Sequence, residues 1–288
     1  MRPATPMRPA TPMRPATPTS PTEEGAPMSE RFSEKTAIVT GAGTGGLGAA
    51  YAEALAAGGA RVVAADIRGS QAEATAERIA AAGGEALPIE VDITNESGID
   101  AMVGATVERF GGVDILINNA AVMFRFLDEP RTPFWEVPLE EFELVQRVNI
   151  TGSWLCAKAV FPHMRDRGGG KIVNVSSNMA LGTDLVWPAQ MAAYTTSKAG
   201  VIGLTRALAG EAGPYGVTVN AVAPGVTNTE TVGEHIAPDR MEAVAQSQAL
   251  RRQAWPEDIV GTVLFLCSSD SDFMTGQVLC VDGGFVAN

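Results

Sequence analysis

From Lys35 onward the chain alternates short apolar, β-branched runs with longer alanine-rich amphipathic stretches, and that alternation leaves few architectures open. Short apolar runs bounded by turn residues read as strands buried on both faces. Parallel strands need crossovers of a dozen residues or more, and the amphipathic stretches supply them as helices. The pattern predicts strands at Thr36–Thr40, Arg61–Ala65, Ala86–Val91, Ile115–Asn118, Lys171–Val175, Val217–Val222 and Gln277–Val281. Helices are expected over about 47–58, 70–82, 96–110, 139–165, 192–213 and 256–268. Right-handed crossovers then give an α/β fold, a doubly wound sheet of about seven parallel strands with helices on both faces. Ligands of such sheets bind outside the carboxyl ends of the strands.

Charge and cysteine usage exclude several function classes. The formal charge of −12, with no lysine and arginine cluster to offset it, repels phosphate backbones and acidic lipid surfaces, so neither nucleic acid nor membrane is an expected partner. Cys156, Cys267 and Cys280 lie far apart in apolar sequence, and only His163 and His235 stand ready to help a metal. The expectation is no metal site and buried thiols in a reducing cytoplasm. No apolar stretch approaches the ~20 residues that span a bilayer. At the N-terminus Met-Arg-Pro-Ala-Thr-Pro occurs three times, at 1–6, 7–12 and 13–18. Such a segment has few apolar groups to bury and lacks the apolar core of a signal peptide, so residues 1–27 read as a disordered tail ahead of one domain at 28–288.

Four features fall at the expected strand ends. Gly41 to Gly48 form a glycine-rich turn between the first strand and first helix, where backbone can approach a pyrophosphate and the helix N-terminus attracts its charge; a purely structural turn is the alternative. Asp66 ends the second strand, where a carboxylate can accept hydrogen bonds from an adenosine ribose and repel a 2′-phosphate. The alternative there is a helix N-cap, and Arg68 can either pair with Asp66 or turn toward a phosphate. Ser176-Ser177 closes the fifth strand. Tyr194 and Lys198, four residues apart, stack a phenol and an ammonium on one helix face, a pair suited to proton transfer.

Thr40-Gly41 to Gly48, Asp92, Asn118-Asn119-Ala120, Asn149, Ser177, Tyr194-x-x-x-Lys198, Pro224-Gly225 and Val281-Asp282-Gly283-Gly284, taken in order, resemble the short-chain dehydrogenase/reductase family over residues 33–288. The resemblance implies a single-domain Rossmann fold, NAD as cofactor, and an oxidoreductase acting on a small-molecule substrate. It implies that Gly41, Thr44, Gly46 and Leu47 line the pyrophosphate loop, that Asp92 and Ile93 border the adenine, and that Asn118 and Ala120 bracket the adenosine ribose. Pro224, Gly225, Thr227 and Thr229 would hold the nicotinamide carboxamide. Tyr194 would carry the proton, Ser177 would hydrogen-bond the reacting oxygen, Lys198 would also hold the nicotinamide ribose, and Asn149 would hold a water linking Lys198 to solvent. Two departures stand out. Four residues rather than the usual three separate Gly41 from Gly46, which leaves open whether Gly45 or Gly46 takes the second-glycine role. The interval from Ser177 to Tyr194 is also longer, with the excess assigned to the loop after Ser177.

Substrate loops are expected near 121–138, 178–191 and 226–250. The first two carry Met123, Phe124, Phe126, Phe134, Trp135, Met179, Leu181, Leu185, Val186, Trp187 and Met191, which favour an apolar cyclic or aryl secondary alcohol or ketone. The bland reading is that these residues pack into loops or subunit contacts, while Arg125 and Arg131 leave a carboxylate open. The rival functions are an NADPH-dependent 3-oxoacyl-carrier-protein reductase and a non-catalytic dinucleotide sensor. Asp66 argues against the first, and the intact Ser177, Tyr194 and Lys198 against the second. Apolar character over 256–266 and 278–281, with the resemblance, implies a homotetramer.

Overall fold

The computed structural model describes residues 30–123, 133–182 and 191–286. Seven strands form one parallel sheet among these residues: β1 (Thr36–Thr40), β2 (Arg61–Asp66), β3 (Glu85–Glu90), β4 (Ile115–Asn118), β5 (Gly170–Val175), β6 (Val217–Pro224) and β7 (Val278–Val281). Their order is β3-β2-β1-β4-β5-β6-β7. The chain winds outward from β1 in one direction and then restarts at β4 in the other. The crevice between the ends of β1 and β4 is therefore the place where a ligand fits.

The alternation of side chains along each strand sorts the core into two faces. Val39, Val62, Val173 and Val222 pack with Tyr51 and Leu55 of α1 (Leu47–Ala57) and with Ile259 and Leu266 of α9 (Pro256–Cys267). Ile38, Val63, Leu116, Ile172 and Val219 pack on the opposite face with Ile99 and Met102 of α3 (Glu96–Phe110) and with Cys156 and Val160 of α5 (Ser153–Asp166). Central strands β1 and β4 are buried throughout. Edge strands β3 and β7 are only partly covered. Helix α2 (Gly69–Ala81) bridges β2 and β3.

Boundaries differ from expectation by a residue or two, except in two places. The stretch expected as one helix over 139–165 is α4 (Leu139–Gln146), a π turn at Arg147–Gly152 and α5. A Cβ on Gly152 would stand 2.6 Å from Ile93 Cδ1, so the turn lies hard against the cavity wall. Helix α6 (Ala192–Ala212) follows the sequence reading. The helices α7 (Glu230–Gly233) and α8 (Pro238–Ser247) were not expected. One turn is too short to show periodicity, and α8 is mostly polar. Cys156 and Cys267 are buried and Cys280 is partly buried, all as free thiols. Burial pushes each up to about 12, aided at Cys280 by the neighbouring Asp282. Among the described residues no cluster could hold a metal, and no helix is long and apolar enough to cross a membrane.

Candidate active site

A cavity of about 480 Å³ opens at the carboxyl ends of β1, β2, β4, β5 and β6. One end is the glycine turn. Gly41 adopts φ +64°, and a Cβ there would stand 2.7 Å from the Ala120 Cα, so only glycine lets the turn close on the end of β4. Gly46 is the N-cap of α1, with no side chain capping the helix, and the nearest atom to a Cβ there would be 4.0 Å away. Gly41, Thr44, Gly46 and Leu47 all line the cavity. Gly45 does not; it takes φ +83° and turns toward Glu230. Gly46, rather than Gly45, therefore faces the cavity.

Asp66 sits between the turn and α2, buried, with Oδ2 accepting from Gly43 N at 2.9 Å and Oδ1 from Arg68 N at 2.9 Å. It is not the N-cap of α2, a position held by Arg68. The Arg68 side chain is 65% exposed, and its Nε lies 3.8 Å from the carboxylate. Both residues line the cavity, as do Asp92, which accepts from the Thr94 backbone and hydroxyl at 2.8 Å, and Ile93.

Asn118 stands apart from the cavity. Its amide donates to Asn174 Oδ1 at 2.9 Å and Ser153 O at 3.1 Å, which ties β4 to β5 and α5. Asn119 lines the cavity instead, donating to the carbonyls of Thr40 and Gly41, with Ala120 beside it. Of the two residues that the resemblance sets beside the adenosine ribose, Ala120 thus lines the cavity and Asn118 does not. Asn149 is likewise buried behind the wall. It exchanges hydrogen bonds with the Val122 backbone and donates to Ser197 Oγ at 2.9 Å, while Ser197 donates to Tyr194 O at 2.7 Å. It therefore braces the first turn of α6 and the loop after β4.

Ser177, Tyr194 and Lys198 converge on the other half of the cavity. Of the two serines, Ser176 is committed to the Lys198 carbonyl at 2.8 Å, which leaves Ser177 free to bond the Tyr194 hydroxyl. Burial pushes Tyr194 up to about 12, against a smaller downward pull from the Ser177 hydrogen bond. Lys198 is buried, its Nζ 5.6 Å from the Tyr194 ring centre and donating to Val175 O at 2.7 Å. Burial lowers it to about 8. At neutral pH the site holds a neutral phenol beside an ammonium that is still largely protonated.

Pro224, Gly225, Thr227 and Thr229 line the wall beyond β6. The Thr229 oxygen caps α7 by accepting from Val232 N at 3.1 Å, and its proton remains available to donate. Met123, Met179 and Met191 line the cavity as expected. Phe134 and Trp135 do not: 68% and 71% exposed, they stack edge-to-face on each other, 5.1 Å apart, on the surface. Leu181 also lies off the cavity. Phe124, Arg125, Phe126, Arg131, Leu185, Val186 and Trp187 fall outside the described residues. Val148 is a wall residue outside the loops expected to carry substrate, while Val232 and Ile236 fall within the loop expected near 226–250, though the sequence singles out neither there.

A doubly wound sheet with a glycine turn, a carboxylate at the end of β2 and a buried Ser, Tyr and Lys defines a class of dinucleotide-dependent oxidoreductase folds. The chain belongs to the short-chain dehydrogenase/reductase family. The family model described as enoyl-(acyl carrier protein) reductase matches residues 41–286. The chain is 40% identical to the short-chain reductase protein NovJ of Streptomyces niveus, over 87% of this chain and 94% of that one. It is 38% identical to cis-4-hydroxycyclohexanecarboxylate dehydrogenase of Sinomonas cyclohexanicum, over 90% and 100%. Among solved structures it resembles a 7α-hydroxysteroid dehydrogenase complexed with NADH and 7-oxo glycochenodeoxycholic acid, with a TM-score of 0.81, 33% identity, and coverage of 90% of this chain and 97% of that one.

Proposed function

We infer that the chain transfers hydride between NAD(H) and an apolar, ring-bearing secondary alcohol or ketone. The observation that carries this reading is the convergence of Ser177, Tyr194 and Lys198 at one half of a cavity whose other half ends in the glycine turn and Asp66. The residues fit a dinucleotide. The uncapped N-terminus of α1 and the open space at Gly46 suit a pyrophosphate. The Asp66 carboxylate would meet a 2′-phosphate with its own charge, which favours NAD. Arg68 carries the second reading, use of NADP, because its exposed side chain reaches the same wall.

A bound nicotinamide supplies the hydride acceptor or donor at its ring carbon C4 and, when oxidised, a positive charge. Tyr194 gives its proton to the carbonyl oxygen in reduction and takes it from the hydroxyl in oxidation. Ser177 donates to the same oxygen and stabilises the charge that develops there. The Lys198 ammonium favours the phenolate form of Tyr194. With Tyr194 pushed up to about 12, the resting phenol is set for proton donation, and oxidation should speed up as pH rises. Asn149 works as a positioning residue through Ser197.

Met123, Met179 and Met191 give the substrate half soft, adaptable walls, and two similar proteins bear names or ligands with ring-borne oxygen. Cyclic, aryl and small aliphatic alcohols assayed at 340 nm with each cofactor test the reading. It predicts NAD over NADP and cyclic over small substrates. Equal or better use of NADP would transfer the assignment from Asp66 to Arg68. A preference for sugars or hydroxy acids would sink the apolar wall. We further propose a homotetramer built on α9 and the half-covered edge strand β7.

A further inference from the structure

Gly45 sits behind the cavity wall and joins two parts of the site. Its carbonyl accepts hydrogen bonds from both the backbone N–H and the hydroxyl of Thr231, each at 3.2 Å. Its φ of +83° aims that carbonyl toward α7, and a Cβ at Gly45 would stand 2.9 Å from the Glu230 carboxylate. Glycine suits this place on conformational grounds, and a larger residue would also have to push the exposed Glu230 side chain aside. On the far side, α7 is a single turn, too short to hold itself together. Its Val232 N–H is capped by Thr229 and its Thr231 N–H by Gly45. Thr231 and Val232 line the cavity, and so does the buried Ile236 just beyond.

We propose that Gly45 and Thr231 form a latch that fixes the wall segment 229–236 to the glycine turn, which makes Thr231 a positioning residue for both halves of the site. The latch is intramolecular and is closed in the protein alone. It therefore prearranges Val232 and Ile236 against a substrate and slows escape of a dinucleotide lying beneath them. Only this effect on dinucleotide release rests on the reading of the cavity as a dinucleotide site.

Hydrogen exchange of the cofactor-free full-length enzyme tests the latch without any turnover. In Thr231→Val, which keeps the N–H and loses the hydroxyl, peptides covering 229–237 should exchange roughly fivefold faster, the effect of one net hydrogen bond, while sheet peptides stay unchanged. Thr231→Ser should restore protection. Gly45→Ala should open the same peptides further, and adding Glu230→Ala should recover part of the loss. The NADH dissociation rate, followed by nicotinamide fluorescence in a stopped flow, should rise in the same order. Wild-type exchange in Thr231→Val, acceleration spread evenly over the sheet, or failure of the serine variant to rescue would each overturn the latch. Altered exchange with unchanged NADH release would overturn the effect on release and leave the latch standing, whereas failure of the wild-type enzyme to bind NADH at all would overturn the dinucleotide reading.

Discussion

Lys198→Met removes the buried ammonium and keeps most of the stem, so it isolates what the charge does to the fold. Burial lowers Lys198 from 10.5 to about 8. At about 1.4 kcal/mol per pH unit, that difference corresponds to about 3 kcal/mol of destabilisation at neutral pH relative to the neutral amine. Between about pH 8 and 10.5 the unfolded chain keeps this proton and the folded chain releases it. Wild-type stability therefore gains from this group as pH rises through the window, and the gain is lost as pH falls through about 8. The methionine variant has no such group. The difference in unfolding free energy, wild type minus variant, should climb by about 3 kcal/mol between pH 7.5 and 10.5. Near pH 7 the variant also leaves the Val175 carbonyl without its charged donor, a loss of about 1.5–3 kcal/mol. The two effects oppose each other there, so the melting temperatures should nearly coincide while activity disappears. Urea unfolding across a pH series measures the difference, and titrations common to both proteins drop out of it. A difference that stays flat from pH 7.5 to 10.5 would refute the reasoning, because Lys198 would then be no worse solvated in the fold than in water.

Tyr194→Phe should lower kcat by 10²–10⁴ and leave dinucleotide binding intact, as judged by fluorescence titration; retention of more than about a tenth of kcat would remove Tyr194 as proton carrier. Asp66→Asn should erode the preference for NAD, read as the ratio of kcat/KM for the two cofactors; an unchanged ratio would mean that Asp66 serves only the Gly43 and Arg68 amides. Deleting residues 1–27 should leave activity and melting temperature in place, and a loss of several degrees would show that this segment docks on the domain. Light scattering at micromolar concentration should give about four times the 30.0 kDa chain mass, and a clean monomer would refute the tetramer.

The fold was legible because its signal is redundant. Each strand is an apolar run, each crossover an amphipathic stretch, and a mistake in one would be corrected by the next. β1 and β4, buried on both faces, match the sequence boundaries residue for residue. The failures lie where that redundancy is missing. The π turn at Arg147–Gly152 has the same apolar spacing as the helices on either side of it, and it is fixed by tertiary contacts of Asn149 and Gly152 that no local pattern encodes. The single turn α7 carries too few residues to show any period.

The site was legible only as far as residue type dictates role. A Tyr and a Lys one helical turn apart, or a carboxylate at a strand end, have few other reasons to fall at the ligand-binding edge of a parallel sheet, and the structure brings Asp66, Ser177, Tyr194 and Lys198 to one cavity. Where two identical residues adjoin, the outcome depends on which side chain the packing consumes. Both serines line the cavity, but the Ser176 hydroxyl is drawn to the Lys198 carbonyl and the Ser177 hydroxyl meets Tyr194. Asn118 is drawn to Asn174 and Ser153, so Asn119 becomes the wall. In both pairs the partners that each side chain meets on the neighbouring strand or helix, rather than its residue type, set its role. The same logic decides the glycine turn. Thr231 claims the Gly45 carbonyl while Gly46 faces the cavity, so the two glycines are told apart by a partner almost two hundred residues away rather than by their spacing.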